Sequence, residues 1–354
     1  MMINLNEFGQ YLGSDKENFI VYKDKKPIKR IPFYMVKQVI LTPGNTVSTS
    51  ALFWCSIYDI NLMMASNTGR PLSMMLPLTS SAHVKTRVKQ YEAYYNSKGV
   101  EIAKAILRAK INNQIALLEK HGFDGHKLDY LIVKLSKIKG EKIDDIRTRL
   151  MGIESKVSKP YFKHIKTLFP KFLQTPARMK HNAEDPLNNL LNLGYEVLKG
   201  EVYRGAMYAH LDPYLGYLHS IQFAKPSLVC DIQEIFRSLI DDFLINYSQK
   251  LSEDSFENKN GMMFLSPKES YRMIKAINGL FDKRIEHQRI KKYGKYSTIR
   301  TAIREESIKL GQFLRGDVEI YAPVKIQEPK PRPFLACDDR SKIYFLNKQN
   351  QVRW

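Results

Sequence analysis

The chain has 354 residues, of which 44% are hydrophobic and 26% charged, a balance that excludes wholesale disorder and suffices for more than one packed core. Its 56 Lys and Arg outnumber its 36 Asp and Glu, and the formal net charge of +20 predicts attraction to a polyanion, most commonly nucleic acid. Three cysteines that lie far apart argue against a disulfide framework or a thiolate zinc site.

Residues 1–80 are predicted to form a small β domain. Short apolar runs such as 39–41, separated by polar or Pro-Gly turns, are typical of strands. The run Ser48-Thr49-Ser50 is predicted to cap a short helix over 51–58. The segment 61–69 suits an ordinary core strand, which its apolar character favours, or an exposed edge used for self-association.

From residue 81 to 321 the apolar residues recur at helical spacing, most clearly over 102–113, 143–157 and 228–243. We therefore predict that the β domain is followed by a larger, all-helical catalytic domain, so the fold class is α+β. Residues 322–354 contain four prolines and are predicted to form an irregular tail.

Several well-known sequence signals are absent. The first residues lack the basic-then-apolar order of a signal peptide, and the most apolar stretch, 51–65, is too short and too polar to span a bilayer. We therefore expect a cytoplasmic protein with no membrane partner. There is also no Gly-rich phosphate loop, dinucleotide fingerprint, His-Glu-x-x-His or Gly-x-Ser-x-Gly, which argues against the commonest nucleotide-hydrolysing and acyl-transfer enzymes.

Three acidic residues and one histidine are candidates for a functional site. Asp231 and Glu234 are three residues apart and share one face of a predicted helix, where a plain solvated face is the commonest outcome. Glu154 lies at the edge of an apolar stripe, where a carboxylate needs an ion pair, a hydrogen bond or a metal. His219 follows a turn-rich segment, and a lone histidine is more often structural than a ligand.

Together these side chains from separate segments suit a divalent metal site. Mg²⁺ prefers oxygen ligands, and an imidazole makes Mn²⁺ competitive. In a basic protein such a site fits phosphodiester chemistry, because the metal polarises a phosphoryl oxygen while Lys and Arg hold the DNA backbone.

Several motifs of the helical region occur in a characteristic order. The earlier ones are Arg87-x-x-Gln90-Tyr91, Lys110-Ile-Asn-Asn-Gln114, Gly152-Ile-Glu154 and Asp185-Pro-x-Asn188. The more specific ones are Leu211-Asp-Pro213, Gly216-x-Leu218-His219 and Ser227-Leu-x-x-Asp231-x-x-Glu234-x-Phe236-Arg237. In order and spacing, over about residues 5–325, the sequence resembles the family of CRISPR-associated protein 1, the metal-dependent integrase that inserts new spacers into CRISPR arrays.

The resemblance implies that Glu154, His219 and Glu234 are the catalytic residues and hold one Mn²⁺ or Mg²⁺. It leaves Asp231 as an accessory acid or an alternative ligand. It also implies that the substrate is DNA, that a homodimer forms through the β domain, and that CRISPR-associated protein 2 is a partner. The implied reaction joins the 3′-OH ends of new spacer DNA to the CRISPR repeat by phosphodiester transesterification.

Candidate DNA contacts lie in two places. Arg178, Lys225 and Arg237 lie near the predicted site and could touch phosphates, although each could equally be a surface charge. Residues 283–315 hold ten Lys or Arg, including Lys291 and Lys292, against three Glu, and tyrosines are interleaved among them. This composition suits a groove that tracks the DNA backbone, and a solvated helix with ion pairs is the alternative.

Other functions also fit the sequence. A related transposon integrase or a stand-alone branched-DNA nuclease would use the same catalytic core. A non-catalytic, basic DNA-architectural protein would bind DNA without regard to divalent metal or to the three predicted ligands. A metal-dependent strand-joining assay discriminates between these functions.

Overall fold

Two small sheets and a helix make up the N-terminal part of the chain. The computed structural model describes residues 2–36, 38–66, 71–75, 77, 82–179, 183–286 and 296–324. The first elements are β1 (Met2–Leu5), β2 (Gln10–Ser14), β3 (Asn18–Lys23), β4 (Lys26–Pro32), β5 (Gln38–Leu41), β6 (Thr46–Val47), α1 (Thr49–Ile57), β7 (Asn61–Ala65) and β8 (Pro71–Met75). One sheet has the order β1-β5-β7-β8, with β8 antiparallel to its neighbour, and the other has the order β4-β3-β2-β6.

Apolar side chains from these strands and from α1 form the N-terminal core. Phe33 packs edge-on against Phe19 and stacks on Trp54. Helix α1 begins at Thr49, two residues before the predicted start, and the Ser48 hydroxyl caps it by accepting a hydrogen bond from the backbone N–H of Ala51 at 3.0 Å.

The apolar segment that begins at residue 61 forms a core strand. Strand β7 lies between β5 and β8, and the side chain of Met63 is completely buried. The interpretation as an ordinary core strand is therefore confirmed for 61–65, and residues 67–70 lie outside the described part of the chain.

Helices form most of the following chain. They are α2 (Ala82–Tyr94), α3 (Ser97–Lys120), α4 (Asp129–Ser136), α5 (Arg147–Ile165), α6 (Pro186–Tyr208), α7 (Ser227–Ser248), α8 (Pro267–Phe281) and α9 (Ile299–Arg315). Helix α7 is central, since it packs against α3, α6, α8 and α9, and its periodic residues Leu228, Ile232 and Ile235 are completely buried. The predicted α+β class, with strands first and helices after them, is confirmed.

The helical part is not wholly helical. Strands β9 (Phe256–Lys259) and β10 (Met262–Leu265) form a hairpin, and β11 (Arg284–Glu286) pairs with β12 (Tyr296–Thr298). Asn260 and Gly261 connect the first hairpin with φ angles of 55° and 82°, the left-handed conformation of a tight two-residue turn. The Asn-Gly pair is a hairpin signal that the helical interpretation overlooked.

The ends of the helical part are described incompletely. The predicted domain boundary between 80 and 81 falls outside the described residues, so the division into domains stays a prediction. Residues 322–324 have no regular secondary structure, and the rest of the predicted tail, 325–354, lies outside the described part. None of the helices in the described ranges is both long and apolar enough to cross a membrane.

Candidate metal centre

The polar face of α7 is buried. The solvated-face interpretation is wrong for this stripe, because each of its polar residues is at most 6% exposed: Ser227, Asp231, Glu234, Ser238 and Asp241. Because α7 packs against helices on several sides, these polar groups face protein and need partners within it.

Two of the predicted ligands meet at a buried lysine. Glu154 on α5 and Glu234 on α7 both form ion pairs with Lys110 of α3, whose side chain is 4% exposed. The Lys110 ammonium makes a close contact with Glu154 Oε1 and lies 2.8 Å from Glu234 Oε2. Ser158, one turn along α5, donates a hydrogen bond of 2.9 Å to Glu154 Oε1. The structure therefore gathers three helices around a pair of carboxylates.

Both carboxylates are held in the ionised form. Burial alone would raise the pKa of Glu234, but the charges of Arg237 and Lys110 outweigh it and hold that pKa well below its ordinary value. Burial likewise opposes ionisation of Glu154, and the ammonium of Lys110 more than offsets it, so the pKa of Glu154 is also lowered.

His219 is anchored by Asp231. The Asp231 carboxylate accepts backbone hydrogen bonds from Tyr217 at 2.5 Å, Leu218 at 2.9 Å and His219 at 2.8 Å. Its Oδ1 also lies 2.7 Å from Nδ1 of the His219 ring. An imidazole that donates from Nδ1 to a carboxylate keeps the lone pair on Nε2, the nitrogen then free to bind a metal. Since Asp231 is already used in these bonds, its accessory role fits better than that of a ligand.

Gly216 allows the loop before His219 to lie against α7. A Cβ atom at Gly216 would come within 2.6 Å of the carbonyl carbon of Ser227, the first residue of α7. Only a residue without a side chain permits this approach, which brings the backbone of 217–219 within reach of Asp231.

Arg237 connects the site to Tyr195 and Tyr161, two tyrosines that share the buried carboxylate of Asp241. It donates a hydrogen bond of 2.6 Å to Glu234 Oε1, and its guanidinium lies 4.2 Å from the centroid of the Tyr195 ring. The hydroxyls of Tyr195 and Tyr161 both donate to the buried carboxylate of Asp241, the latter at 2.6 Å. Sequence reasoning assigned no role in the site to either tyrosine or to Lys110, although Lys110 lies in one of the recognised motifs.

The donor set of this site fits a hard divalent cation. In the described part of the chain, no three His, Cys, Asp or Glu side chains stand ready-made around an ion position, and the Lys110 ammonium lies between two of the predicted ligands. Glu234 Oε2 is buried and has the Lys110 ammonium as its ion-pair partner, so a metal would bind this oxygen by taking the place of that ammonium. Two carboxylates and an imidazole nitrogen are the donors that Mg²⁺ and Mn²⁺ accept.

The predicted DNA contacts have different surroundings. Arg178 is engaged within the protein, since it donates hydrogen bonds to the side chains of Asn188 at 2.8 Å and Asn192 at 2.7 Å. Lys225 is half-buried in the loop between His219 and α7. Arg237 is held as described above. Lys291 and Lys292 lie outside the described residues.

The loop that contains Lys225 carries an exposed aromatic residue. Gln222 and Lys225 form an isolated β-bridge, and Ala224 between them has a left-handed φ of 56°. The neighbouring Phe223 is fully exposed. The Ser227 hydroxyl donates a hydrogen bond of 2.7 Å to the carbonyl of Ser220, which ties the base of the turn.

Fold and site together define an α+β protein whose helical part brings two glutamates to one buried lysine and anchors a histidine through an aspartate. The chain belongs to the family described as CRISPR associated protein Cas1, whose sequence pattern matches residues 3–279. A relative from Archaeoglobus fulgidus, CRISPR-associated endonuclease Cas1 1, is 28% identical over 90% of this chain and 97% of its own length. A CRISPR-associated endonuclease Cas1 from Korarchaeum cryptofilum is 29% identical over 72% of this chain and 80% of its own.

Solved structures share the fold. A Cas1 protein from Thermotoga maritima superposes with a TM-score of 0.66 at 22% identity, covering 89% of this chain and 97% of that one. A structure described as a casposase bound to integration product superposes with a TM-score of 0.67 at 21% identity, and the match covers 91% of this chain and 98% of that one. A chain of a structure described as a partial Cas6-RT-Cas1–Cas2 complex superposes with a TM-score of 0.69 at 22% identity, and the match covers 92% of this chain and 98% of that one.

Proposed function

We propose that this chain is an integrase and endonuclease of CRISPR adaptation, which joins the 3′-OH ends of new spacer DNA to the CRISPR repeat by transesterification. Membership of the Cas1 family and the endonuclease names of its relatives support the enzyme class. The single observation that carries the chemistry is the meeting of Glu154 and Glu234 at Lys110, and the anchoring of the His219 imidazole through Nδ1 supports it.

Each residue has a role in this proposal. Glu154, Glu234 and Nε2 of His219 would hold one Mn²⁺ or Mg²⁺. When bound, that cation supplies electrophilic polarisation of the phosphodiester and lowers the pKa of an attacking hydroxyl. Asp231 fixes the ring of His219, and Arg237 fixes Glu234 through Oε1 while its partly exposed guanidinium stays available to a phosphate oxygen.

DNA and protein partners follow from charge and from the relatives. The net charge of +20 suits a polyanionic substrate, and one structural neighbour is described as a Cas1–DNA complex. Another is a complex with Cas2, which supports Cas2 as a partner here. Exposed apolar residues of the N-terminal part, Tyr34, Phe53 and Leu72, support a homodimer formed through that part.

A strand-joining assay tests the proposal. Labelled duplex with 3′-OH ends is incubated with supercoiled plasmid that carries a repeat, in Mn²⁺, in Mg²⁺ and in EDTA. Glu154→Ala is expected to abolish joining and keep DNA binding, whereas Glu101→Ala, an exposed change on α3, leaves both intact. Full activity of the Glu154 variant, or joining that is indifferent to EDTA, would reject the assignment. Binding without any joining would favour a non-catalytic DNA-architectural protein.

A second candidate is a transposon-type integrase, which the likeness to the casposase structure favours. The two functions differ in the target. Joining that depends on the repeat and on the small Cas2 partner supports adaptation. Joining with equal efficiency to plasmids that lack a repeat, without that partner, supports the transposon-type reaction.

A further inference from the structure

Lys110 sits between the two acidic residues that the proposed function assigns to the metal. It lies on the buried face of α3, and lysines so deeply buried need paired charges. Its partners are Glu154 and Glu234, so the lysine and a divalent cation would bind to the same pair of side chains.

The oxygens of Glu234 make the conflict specific. Oε1 accepts a hydrogen bond from Arg237 at 2.6 Å and is therefore occupied. Oε2 is buried, and its ion-pair partner is the Lys110 ammonium, 2.8 Å away. Of the two oxygens, Oε2 is the one that is left for a metal, and it is the one that Lys110 contacts.

Arg237 is the less movable of the two cations. Besides its hydrogen bond to Glu234, its guanidinium stacks on Tyr195, whose hydroxyl is bonded to Asp241. The contact of Lys110 with Glu234 lacks this support, and lysine has a flexible four-carbon stem. A cation that enters the site is therefore expected to displace Lys110 from Glu234 and to leave Arg237 in place.

We propose, on the basis of the proposed function, that Lys110 is an internal cation that holds Glu154 and Glu234 together without metal and competes with the divalent cation for them. In the absence of metal, the two negative charges are balanced by Lys110 and Arg237. Metal entry displaces the ammonium from Oε2, so this lysine weakens metal affinity and keeps the empty site folded.

Metal binding to the full chain tests this directly. Free Mn²⁺ is followed by its electron paramagnetic resonance signal during titration of wild type, Lys110→Met and the polar Lys110→Gln. Both variants are expected to bind Mn²⁺ more tightly, by about fivefold or more, as for other coupled sites. Their metal-free forms should melt at a lower temperature than wild type, and saturating Mn²⁺ should remove most of that difference. Unchanged or weaker Mn²⁺ binding in both folded variants would overturn the proposal.

The matched control is Lys104→Met, on the same helix. Lys104 donates to the backbone carbonyls of Ser136 and Ile138, at 3.0 and 2.7 Å, and not to a carboxylate. This variant is expected to lose stability without any change in Mn²⁺ affinity. An equal gain in affinity here would mean that the loss of any positive charge suffices, and would overturn the proposal.

Chemical rescue separates competition from a general effect of charge. Propylammonium replaces the atoms removed in Lys110→Ala, and it should weaken Mn²⁺ binding to this variant but not to wild type. Tetramethylammonium at the same ionic strength should have no effect. An equal effect of both ions would count against competition.

The outcomes separate the proposed function from this inference. Absence of Mn²⁺ binding to wild type would reject both together. If wild type binds Mn²⁺, Glu154→Gln abolishes that binding and the Lys110 variants leave it unchanged, only the inference is rejected.

Discussion

Asp231 and His219 form a pair that ties the imidazole of the proposed metal centre to the backbone of its own loop. Oδ1 of Asp231 lies 2.7 Å from Nδ1 of the imidazole, and the same carboxylate accepts three backbone N–H groups of the loop that carries the histidine. One buried side chain therefore sets both the path of the loop and the direction of the ring. Any change at Asp231 therefore alters the orientation of the His219 ring and the hydrogen bond at Nδ1 at the same time.

Replacement of Asp231 should expose this dependence. In Asp231→Asn an amide stands where the carboxylate accepts all its bonds, so the ring and the loop lose their anchor. Joining activity should fall about 10–100-fold, the usual effect of losing a carboxylate behind a metal-binding histidine, while DNA affinity is retained. The control is Asp242→Asn. The carboxylate of Asp242 forms an ion pair with Lys120 at 2.9 Å and takes no part in the site. Full activity of the Asp231 variant would contradict the positioning role.

Gly216→Ala should damage the protein through its backbone. The added methyl group would meet Ser227 at 2.6 Å, so the loop has to move away from α7. We expect a lower melting temperature and loss of joining. Gly279→Ala in α8 is the control, because its Cβ meets nothing within 4 Å and alanine favours helix by up to about 1 kcal/mol. A Gly216 variant as stable as wild type would show that the close approach is dispensable.

Phe223 offers a ring for stacking on DNA beside the site. Because it is fully exposed, Phe223→Ser should leave the melting temperature unchanged. Binding to DNA with unpaired bases should weaken, since stacking on an aromatic side chain contributes about 1–3 kcal/mol per base. Fluorescence of 2-aminopurine near the joining point measures the contact. Tyr130→Ser, an exposed ring on α4, is the control, and equal losses in both variants would argue against a specific contact.

Glu306 predicts a change of stability with pH. Burial raises the pKa of this carboxyl despite the nearby Lys309, so the folded protein holds the proton more tightly than the unfolded chain does. Glu306 therefore makes its full favourable contribution to the free energy of unfolding below the ordinary carboxyl pKa of 4.5. This contribution is lost as the pH rises through the higher pKa that the carboxyl has in the folded protein. Glu306→Gln should therefore raise the melting temperature at neutral pH and have little effect at pH values below that range.

Melting curves across this pH range check the prediction, with Glu305→Gln on the same helix as the control. The Gln side chain can still accept the hydrogen bond that Val324 donates to Glu306 at 3.0 Å. An increase in stability that is the same at every pH would mean that ionisation of Glu306 is not its source.

Periodicity and motif order predicted much of this structure. The capped α1, the long helices and the convergence of Glu154 and Glu234 followed from the sequence and its family resemblance. Spacing alone failed on the polar face of α7, because a polar stripe has the same period whether it faces water or other helices.

What the sequence could not supply is the set of partners. Nothing in the sequence around Lys110 shows that it contacts Glu154, which lies 44 residues later in the chain. Likewise, nothing in the sequence around Tyr195 shows that its hydroxyl contacts Asp241. Such contacts depend on the packing of α3, α5, α6 and α7, which long-range geometry decides. The Asn260-Gly261 hairpin, in contrast, carried a local signal that a helical expectation concealed.

The placement of Glu234 on the central helix means that the proposed catalytic centre and the packing of the fold depend on the same helix. The buried polar face of α7 holds the proposed acidic ligand, the aspartate that anchors His219, and Asp241, while the opposite face is packed core. Genetic screens that score defence alone will therefore confuse inactive enzyme with missing enzyme for substitutions along this helix. Protein abundance has to be recorded beside phenotype for any such variant to be interpreted.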